Sequence, residues 1–325
     1  MNNHERLIEL LSNSDGFVSG EKISEELGIS RTAVWKQIKK LEALGYEIEA
    51  VTKHGYRLLY APTGFNVETV QNNLAHHRFG HHIHYCKAVD STQFAARELA
   101  EQGGQEGIVV LAEQQLSGKG RMGRVWHSPY GKGIWMSIIL RPLTPIQLAP
   151  QLTLLTAVAL TQAIRKVTGL EVGIKWPNDI LYNGKKLCGI LLESVAEEQR
   201  LKYVIAGIGI SANLSAQDYD EELLHKATSL RIECGQPVRR EQLVEAFMIE
   251  WETLFQQYEQ EGFTPIAALW ERYALSIGQR MLITTVQEQF IATPLSLTDN
   301  GSIIVELEDG SQREIYSADM GEVKQ

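Results

Sequence analysis

The sequence predicts an α+β multidomain protein in three parts: a small helical module first, a mixed α+β domain in the centre, and a small β domain last. Three observations predict it. The first sixty residues read as short capped amphipathic helices followed by a hairpin, and the middle interleaves apolar strand runs with long helical patterns. The last fifty alternate apolar and polar residues between turn signals. With 325 residues, 44% of them hydrophobic, the chain can bury two or three ordinary cores.

Composition narrows the function classes. The formal net charge is -9, so any contact with nucleic acid must come from a local basic patch. The three cysteines, Cys86, Cys188 and Cys234, lie far apart with no CxxC pair, which argues against a disulfide framework or a thiolate zinc site. The start, MNNHERLIELLSNSDG, lacks the basic, apolar and small-residue order of a signal peptide, and no apolar run is long enough to span a bilayer. A cytoplasmic protein without a membrane partner is expected.

Residues 1–63 form the first expected domain. HERLIELLSN puts Leu7, Ile8, Leu10 and Leu11 on one broad face and stops before Asp15-Gly16. Ser19 caps GEKISEELG, which Gly28 ends; Ser30 caps RTAVWKQIKKLEALG, with Val34, Ile38, Leu41 and Leu44 at helical spacing and Gly45 at the end. Two helices joined by a tight GIS turn have the spacing of a helix-turn-helix. The second carries Arg31, Thr32, Lys36, Gln37, Lys39 and Lys40 on its polar side, groups that reach both phosphates and base edges. YEIEAV and YRLLY, joined by TKHG, make a two-stranded wing bearing Lys53 and His54. The order resembles the winged helix-turn-helix domains of bacterial repressors, so operator DNA is the expected partner. A solvated interaction module is the plain alternative, and Trp35 fits either a core or a DNA-backbone contact.

APTGFN marks a linker, and the second expected domain runs over 64–275. Its oddest stretch is GKGRMGRVWHSP, residues 118–129, where three glycines alternate with Lys119, Arg121 and Arg124. Glycines let backbone N–H groups approach a ligand, and the cations beside them hold phosphate or carboxylate oxygens. The spacing is neither a P-loop nor a dinucleotide fingerprint, and on these grounds alone an unliganded surface loop explains it equally well.

Its company separates the two. DST at 90–92, QQLSGKGRMGRVW at 114–126, KWPNDI at 175–180, GKKLCGIL at 184–191 and AGIGIS at 206–211 occur in this order, and together they resemble biotin protein ligases. With the winged helix in front, the chain is similar to the bifunctional ligase and biotin-operon repressor type. That resemblance implies a central ligase domain using biotin and ATP, with Mg²⁺, to form biotinyl-5'-AMP and to biotinylate one lysine of a biotin carboxyl carrier protein. It also implies a homodimer on binding the adenylate.

Carried over by motif, Ser91, Thr92, Gln93 and Gln115 meet the ureido head of biotin, Lys119, Gly120 and Arg121 close over its carboxylate, and Gly189 lies beside Lys186 in the same site. Lys186 touches both halves of the adenylate. Arg121, Arg124, Trp126, Asn178 and Lys186 form the ATP side, and Lys186, Arg121 and Asp179 are the catalytic candidates. Asn178 and Asp179 either orient the amine or help to hold Mg²⁺. Two departures stand out: Lys119 replaces an arginine, keeping charge but losing the bidentate fork, and Ser211 stands where an asparagine is usual, with Asn213 two residues on. Trp176 reads better as core than as a ligand contact, and Lys185 as a solvated neighbour. His82, His84 and Cys86 would share one strand face, but an outward polar face explains them without a metal. From 276 to 325, QRMLITTV, EQFIATPLSL, SIIVELEDG and QREIYS read as strands of a small SH3-like β-barrel.

Overall fold

The computed structural model describes residues 3–14, 16–62, 64–198 and 200–323; Asp15 and the expected boundary at Thr63 lie outside them. The chain divides into two units, Met1–Phe65 with Pro129–Lys132, and Asn66–Ser128 with Gly133–Gln325.

The first unit contains α1 (Asn3–Ser12), α2 (Gly20–Leu27), α3 (Arg31–Ala43), β1 (Glu47–Val51) and β2 (Gly55–Tyr60). Ser19 and Ser30 cap α2 and α3 by accepting from the amides of Lys22 (3.1 Å) and Ala33 (3.2 Å), and Gly28 ends α2 in the left-handed region at φ 65°. Leu7, Leu11, Ile23, Leu27, Val34, Ile38 and Leu41 form the core. Leu44, placed on the apolar face by its spacing, is 42% exposed, because α3 stops at Ala43 and Leu44 turns out of the helix as its C-cap. Val18 pairs with Tyr56 and adds a third short edge to the β1–β2 wing. Gly55 permits this: a Cβ there would lie 2.1 Å from the Val18 carbonyl oxygen. Within the same unit, Lys132 Nζ lies 3.1 Å from Glu47 Oε1 in a buried ion pair.

The second unit begins with α4 (Val67–Asn73), β3 (Ile83–Cys86), α5 (Thr92–Glu101), β4 (Val109–Ala112), β5 (Ile134–Leu140), α6 (Ala149–Thr168) and β6 (Gly173–Lys175). It continues with β7 (Asp179–Tyr182), β8 (Lys185–Glu197), β9 (Arg200–Ile210), α7 (Glu221–Leu224), α8 (Leu230–Cys234), α9 (Arg240–Glu261) and α10 (Thr264–Tyr273). Seven strands form one mixed sheet in the order β3-β4-β5-β9-β8-β7-β6, with β3–β4 parallel and the other pairs antiparallel. Every residue of β5 is buried, as a central strand covered on both faces must be. On one side Ala96 and Ala100 of α5 pack against Val110, Ile139, Tyr203 and Ile205.

The C-terminal strands β10 (Met281–Thr284), β11 (Gln289–Leu297), β12 (Ile303–Leu307), β13 (Gln312–Ile315) and β14 (Asp319–Glu322) form an antiparallel sheet. Their order, β13-β12-β11-β10-β14, is that of a small SH3-like barrel, the last strand returning beside the first. Contacts with α6 fix the turn between β11 and β12: Gln151 Nε2 donates to the Asp299 carbonyl at 2.5 Å, and Gly301 leaves room for Leu154. This sheet belongs to the second unit.

Candidate active site

A cavity of about 740 Å³ opens between α5, the 115–128 loop, and strands β8 and β9. All the expected ligand residues line it: Ser91, Thr92, Gln93, Gln115, Lys119, Gly120, Arg121, Arg124, Trp126, Asn178, Asp179, Lys186 and Gly189.

One end is buried and polar. Ser91 caps α5 and, with Thr92 and Gln93, is at most 5% exposed. The Thr92 amide and hydroxyl donate to Gln115 Oε1 at 3.0 and 3.1 Å, and Gln115 Nε2 donates to Ser128 Oγ at 3.0 Å. Ser137 Oγ bridges Thr92 Oγ1 (2.9 Å) and Gln93 Oε1 (3.0 Å). Gln93 Nε2 donates to the carbonyls of Leu191 (3.2 Å) and Ile205 (3.1 Å), so this amide is committed to neighbouring strands and forms wall. Ser137 escaped the sequence reading; its signal was a single hydroxyl inside the apolar run IWMSIIL, where a buried hydroxyl requires a partner.

The other end is cationic. Gly120 N donates to the Arg124 carbonyl and Trp126 N to that of Gly118, both at 2.8 Å, folding the loop into a small irregular hairpin around a 3-10 turn at Arg121–Gly123. A Cβ on Gly118 would lie 2.5 Å from the Trp126 carbonyl oxygen, which explains that glycine. Arg121 reaches Asn178 Oδ1 (3.1 Å) and Ser317 Oγ (3.0 Å), and Arg124 pairs with Asp319. That pairing holds the Arg124 guanidinium above its ordinary pKa, chiefly through the hydrogen bond to Asp319. Lys119 Nζ sits 4.2 Å above the Phe94 ring.

Lys186 Nζ lies 2.6 Å from Asp179 Oδ1, an ion-pair distance without hydrogen-bond alignment, and 5.1 Å from the centre of the Trp126 ring. The register of β7 on β8 sets Asp179 opposite Gly189, and a bulge between Ile180 and Leu181 brings Lys186 opposite Leu181. The indole of Trp126 rests on a glycine floor: a Cβ at Gly209 would come within 2.4 Å of its Nε1, and one at Gly189 within 3.0 Å of Cζ3. Asn178 is 8% exposed and donates to the Ile190 carbonyl at 2.7 Å, so its oxygen faces Arg121. Lys185 does not line the cavity, and Trp176 is 2% exposed, in the core.

Ser211 lines the cavity, whereas Asn213 is buried and pairs with both backbone groups of Val238 (2.8 and 2.9 Å), a structural role. Tyr219 is a further wall residue that sequence reasoning missed; burial pushes its hydroxyl up to about 12, and it donates to the Thr228 carbonyl at 2.9 Å. The Lys186 amide donates to the Lys226 carbonyl (2.8 Å) and its carbonyl accepts from the Thr228 amide (3.0 Å), which holds this 219–228 segment against the site. His82 and His84 are exposed, and among the described residues no group of three His, Cys, Asp or Glu is placed to hold a metal ion.

In the first unit, Arg31, Thr32, Trp35, Lys36, Lys39 and Lys40 of α3 are exposed, as is Lys53 in the wing turn, where its φ is 71°. Gln37 is half-buried. Arg31 pairs with Glu21 of α2 (3.0 Å) and Lys39 with Glu42 (2.6 Å), so acids temper the face at two points.

Two family models match the chain: "Biotin/lipoate A/B protein ligase family" over residues 85–211 and "HTH domain" over residues 3–57. The bifunctional ligase/repressor BirA of Bacillus subtilis (strain 168) is 46% identical over 315 residues, covering 97% of each chain. That of Escherichia coli (strain K12) is 28% identical over 306 residues, covering 94% of this chain and 92% of the relative. Among solved structures, a biotin protein ligase from Aquifex aeolicus in complex with biotin and ATP superposes with a TM-score of 0.64 at 25% identity, over 74% of this chain and 97% of that one. With the helix-turn-helix, the ligase cavity and similarity along nearly its whole length, the chain belongs to the family of bifunctional ligase/repressor BirA proteins.

Proposed function

We propose that the chain is an ATP-dependent biotin protein ligase that also represses transcription through its helix-turn-helix. The observation that carries the ligase reading is a single cavity with a buried hydroxyl and amide network at one end and Lys119, Arg121, Arg124 and Lys186 at the other. A neutral ureido head suits the first end, and a carboxylate meeting a triphosphate suits the second.

In the first step a carboxylate oxygen of biotin attacks the α-phosphorus of ATP and pyrophosphate leaves. Two anions meet, so the barrier falls where fixed cations neutralise the charge that develops. Lys186 is the ammonium at that point and Arg121 the guanidinium that closes over it. In the second step the amine of a carrier-protein lysine attacks the acyl carbon and AMP leaves. Asp179, beside Lys186, is the carboxylate that orients the amine and receives its proton.

Mg²⁺ suits the donors present: one carboxylate, Asp179, beside the phosphates of a substrate is a usual set for this ion, which when bound screens triphosphate charge. Arg121, Arg124, Trp126, Asn178 and Lys186 form the ATP side. Ser91, Thr92, Gln93, Gln115, Lys119, Gly120 and Gly189 form the biotin side, which Arg121 and Lys186 share with the ATP side.

For DNA, Arg31, Thr32, Lys36, Gln37, Lys39, Lys40 and Lys53 provide phosphate and base contacts. A single module with few cations binds weakly at physiological salt, so a homodimer formed on biotinyl-5'-AMP supports operator binding. The deciding experiment is biotin-dependent exchange of labelled pyrophosphate into ATP. Exchange with biotin and not with lipoate is expected. Folded protein that binds biotin without exchange would be a sensing repressor, and exchange with lipoate alone would make it a lipoate ligase. Sedimentation and operator binding with and without biotin plus ATP test the dimer; equal values in both conditions would sink it.

A further inference from the structure

Two side chains, Ser317 from the turn before β14 and Asp319 at its start, reach the cationic loop from nearly two hundred residues away. Arg121 Nη2 donates to Ser317 Oγ at 3.0 Å, and Arg124 pairs with the carboxylate of Asp319, which itself lines the cavity. Asp319 opens β14, which pairs with β10 in the register Thr284↔Asp319, and the turn between β11 and β12 is seated on α6 through Gln151 and Leu154. A short hairpin carrying Met122 and Val125, 72% and 86% exposed, has little packing of its own to hold it.

We propose that Asp319, assisted by Ser317, is a positioning residue that anchors the 118–126 loop to the C-terminal sheet and so presents its two arginines to the phosphates of ATP. The inference rests on the ligase reading for its ligand, but the anchoring exists without one. Biotin's ureido end is bounded by Thr92, Gln115 and Ser137, which Asp319 does not touch, so the effect falls on the carboxylate and phosphate end of the cavity. The pair is more than a third exposed, so the effect is modest.

The test uses the full chain and Asp319→Asn, Asp319→Glu, Arg124→Gln and the double variant Asp319→Asn/Arg124→Gln. Hydrogen exchange of the 116–128 peptide, without ligands, reports anchoring directly. It should quicken in Asp319→Asn and Arg124→Gln, return toward the parent in Asp319→Glu, and quicken no further in the double variant. In pyrophosphate exchange, the KM for ATP should rise about two- to fivefold in Asp319→Asn, the scale of a partly exposed ion pair. Unchanged loop exchange overturns the anchor. A lowered KM for ATP overturns it as well, since Asp319 would then compete with phosphate for Arg124. Loss of pyrophosphate exchange in the parent chain with loop exchange behaving as expected overturns the ligase reading and leaves the anchor standing.

Discussion

The two ends of the cavity are built differently. At one, Thr92 and Ser137 are buried, Gln115 is half-buried and the three already satisfy one another, whereas Arg121 and Arg124 stand on a partly exposed hairpin. The difference teaches a division of labour. On the proposed reading, the neutral head group meets a network set in place by α5 and the sheet, whose members already share hydrogen bonds. On the same reading, the highly charged nucleotide meets partly exposed cations held by side chains of other elements, Asn178, Ser317 and Asp319.

The sharpest way to break the comparison is at the point where the two ends join. Lys186→Ala should lower the rate of adenylate formation about 10²–10³-fold, since removing one fixed stabiliser of transition-state charge costs on that order. Unchanged adenylation would remove Lys186 from the chemistry. Next comes the cationic end: Arg121→Gly should release the adenylate about tenfold faster, equivalent to about 1.4 kcal/mol, and biotinylate bystander proteins. Normal retention in a stopped-flow chase would show that Arg121 does not clamp.

At the rigid end, Thr92→Val leaves Gln115 Oε1 and Ser137 without a partner hydroxyl, so about 1–3 kcal/mol of stability and a comparable part of biotin affinity should be lost. Calorimetry giving the parent's biotin affinity and melting temperature would refute a preformed network. The smallest effect lies outside the cavity. Lys36→Gln should weaken operator and unrelated DNA alike and reduce the slope of log K against log salt by about one. A change in sequence preference with an unchanged slope would make Lys36 a base reader instead.

The same contrast governs what the sequence revealed. Local rules carried the first unit: Ser19, Ser30 and Gly28 stand where capping logic puts them, and only Leu44 departs, because helical spacing cannot say on which residue a helix ends. The fold class was legible too, down to a small C-terminal barrel. The cavity residues came from the order of five motifs, since no local property of DST or KWPND brings them together. What stayed hidden depends on distant partners. Gln93 lines the cavity as expected, but the sequence did not show that its amide also ties Leu191 to Ile205, one residue on each of two neighbouring strands. Asn213, to which the sequence assigned no role, is held by the Val238 backbone. Ser317 and Asp319 carry no motif, and only the path of β14 beside β10 brings them to the loop. Pro129–Lys132 follows the ligand loop in sequence yet is grouped with the helix-turn-helix unit, a feature of packing that chain order conceals.

The glycine floor under Trp126 has an optical consequence. Its indole lies in the main cavity with Lys186 Nζ 5.1 Å from the ring centre, while Trp135, Trp251 and Trp270 are sealed in the core. Emission from an indole follows the electric field across its ring. If ATP binds as proposed, a phosphate beside Lys186 would change that field at Trp126 far more than at the sealed rings, giving the unlabelled chain its own light signal for occupancy of the site.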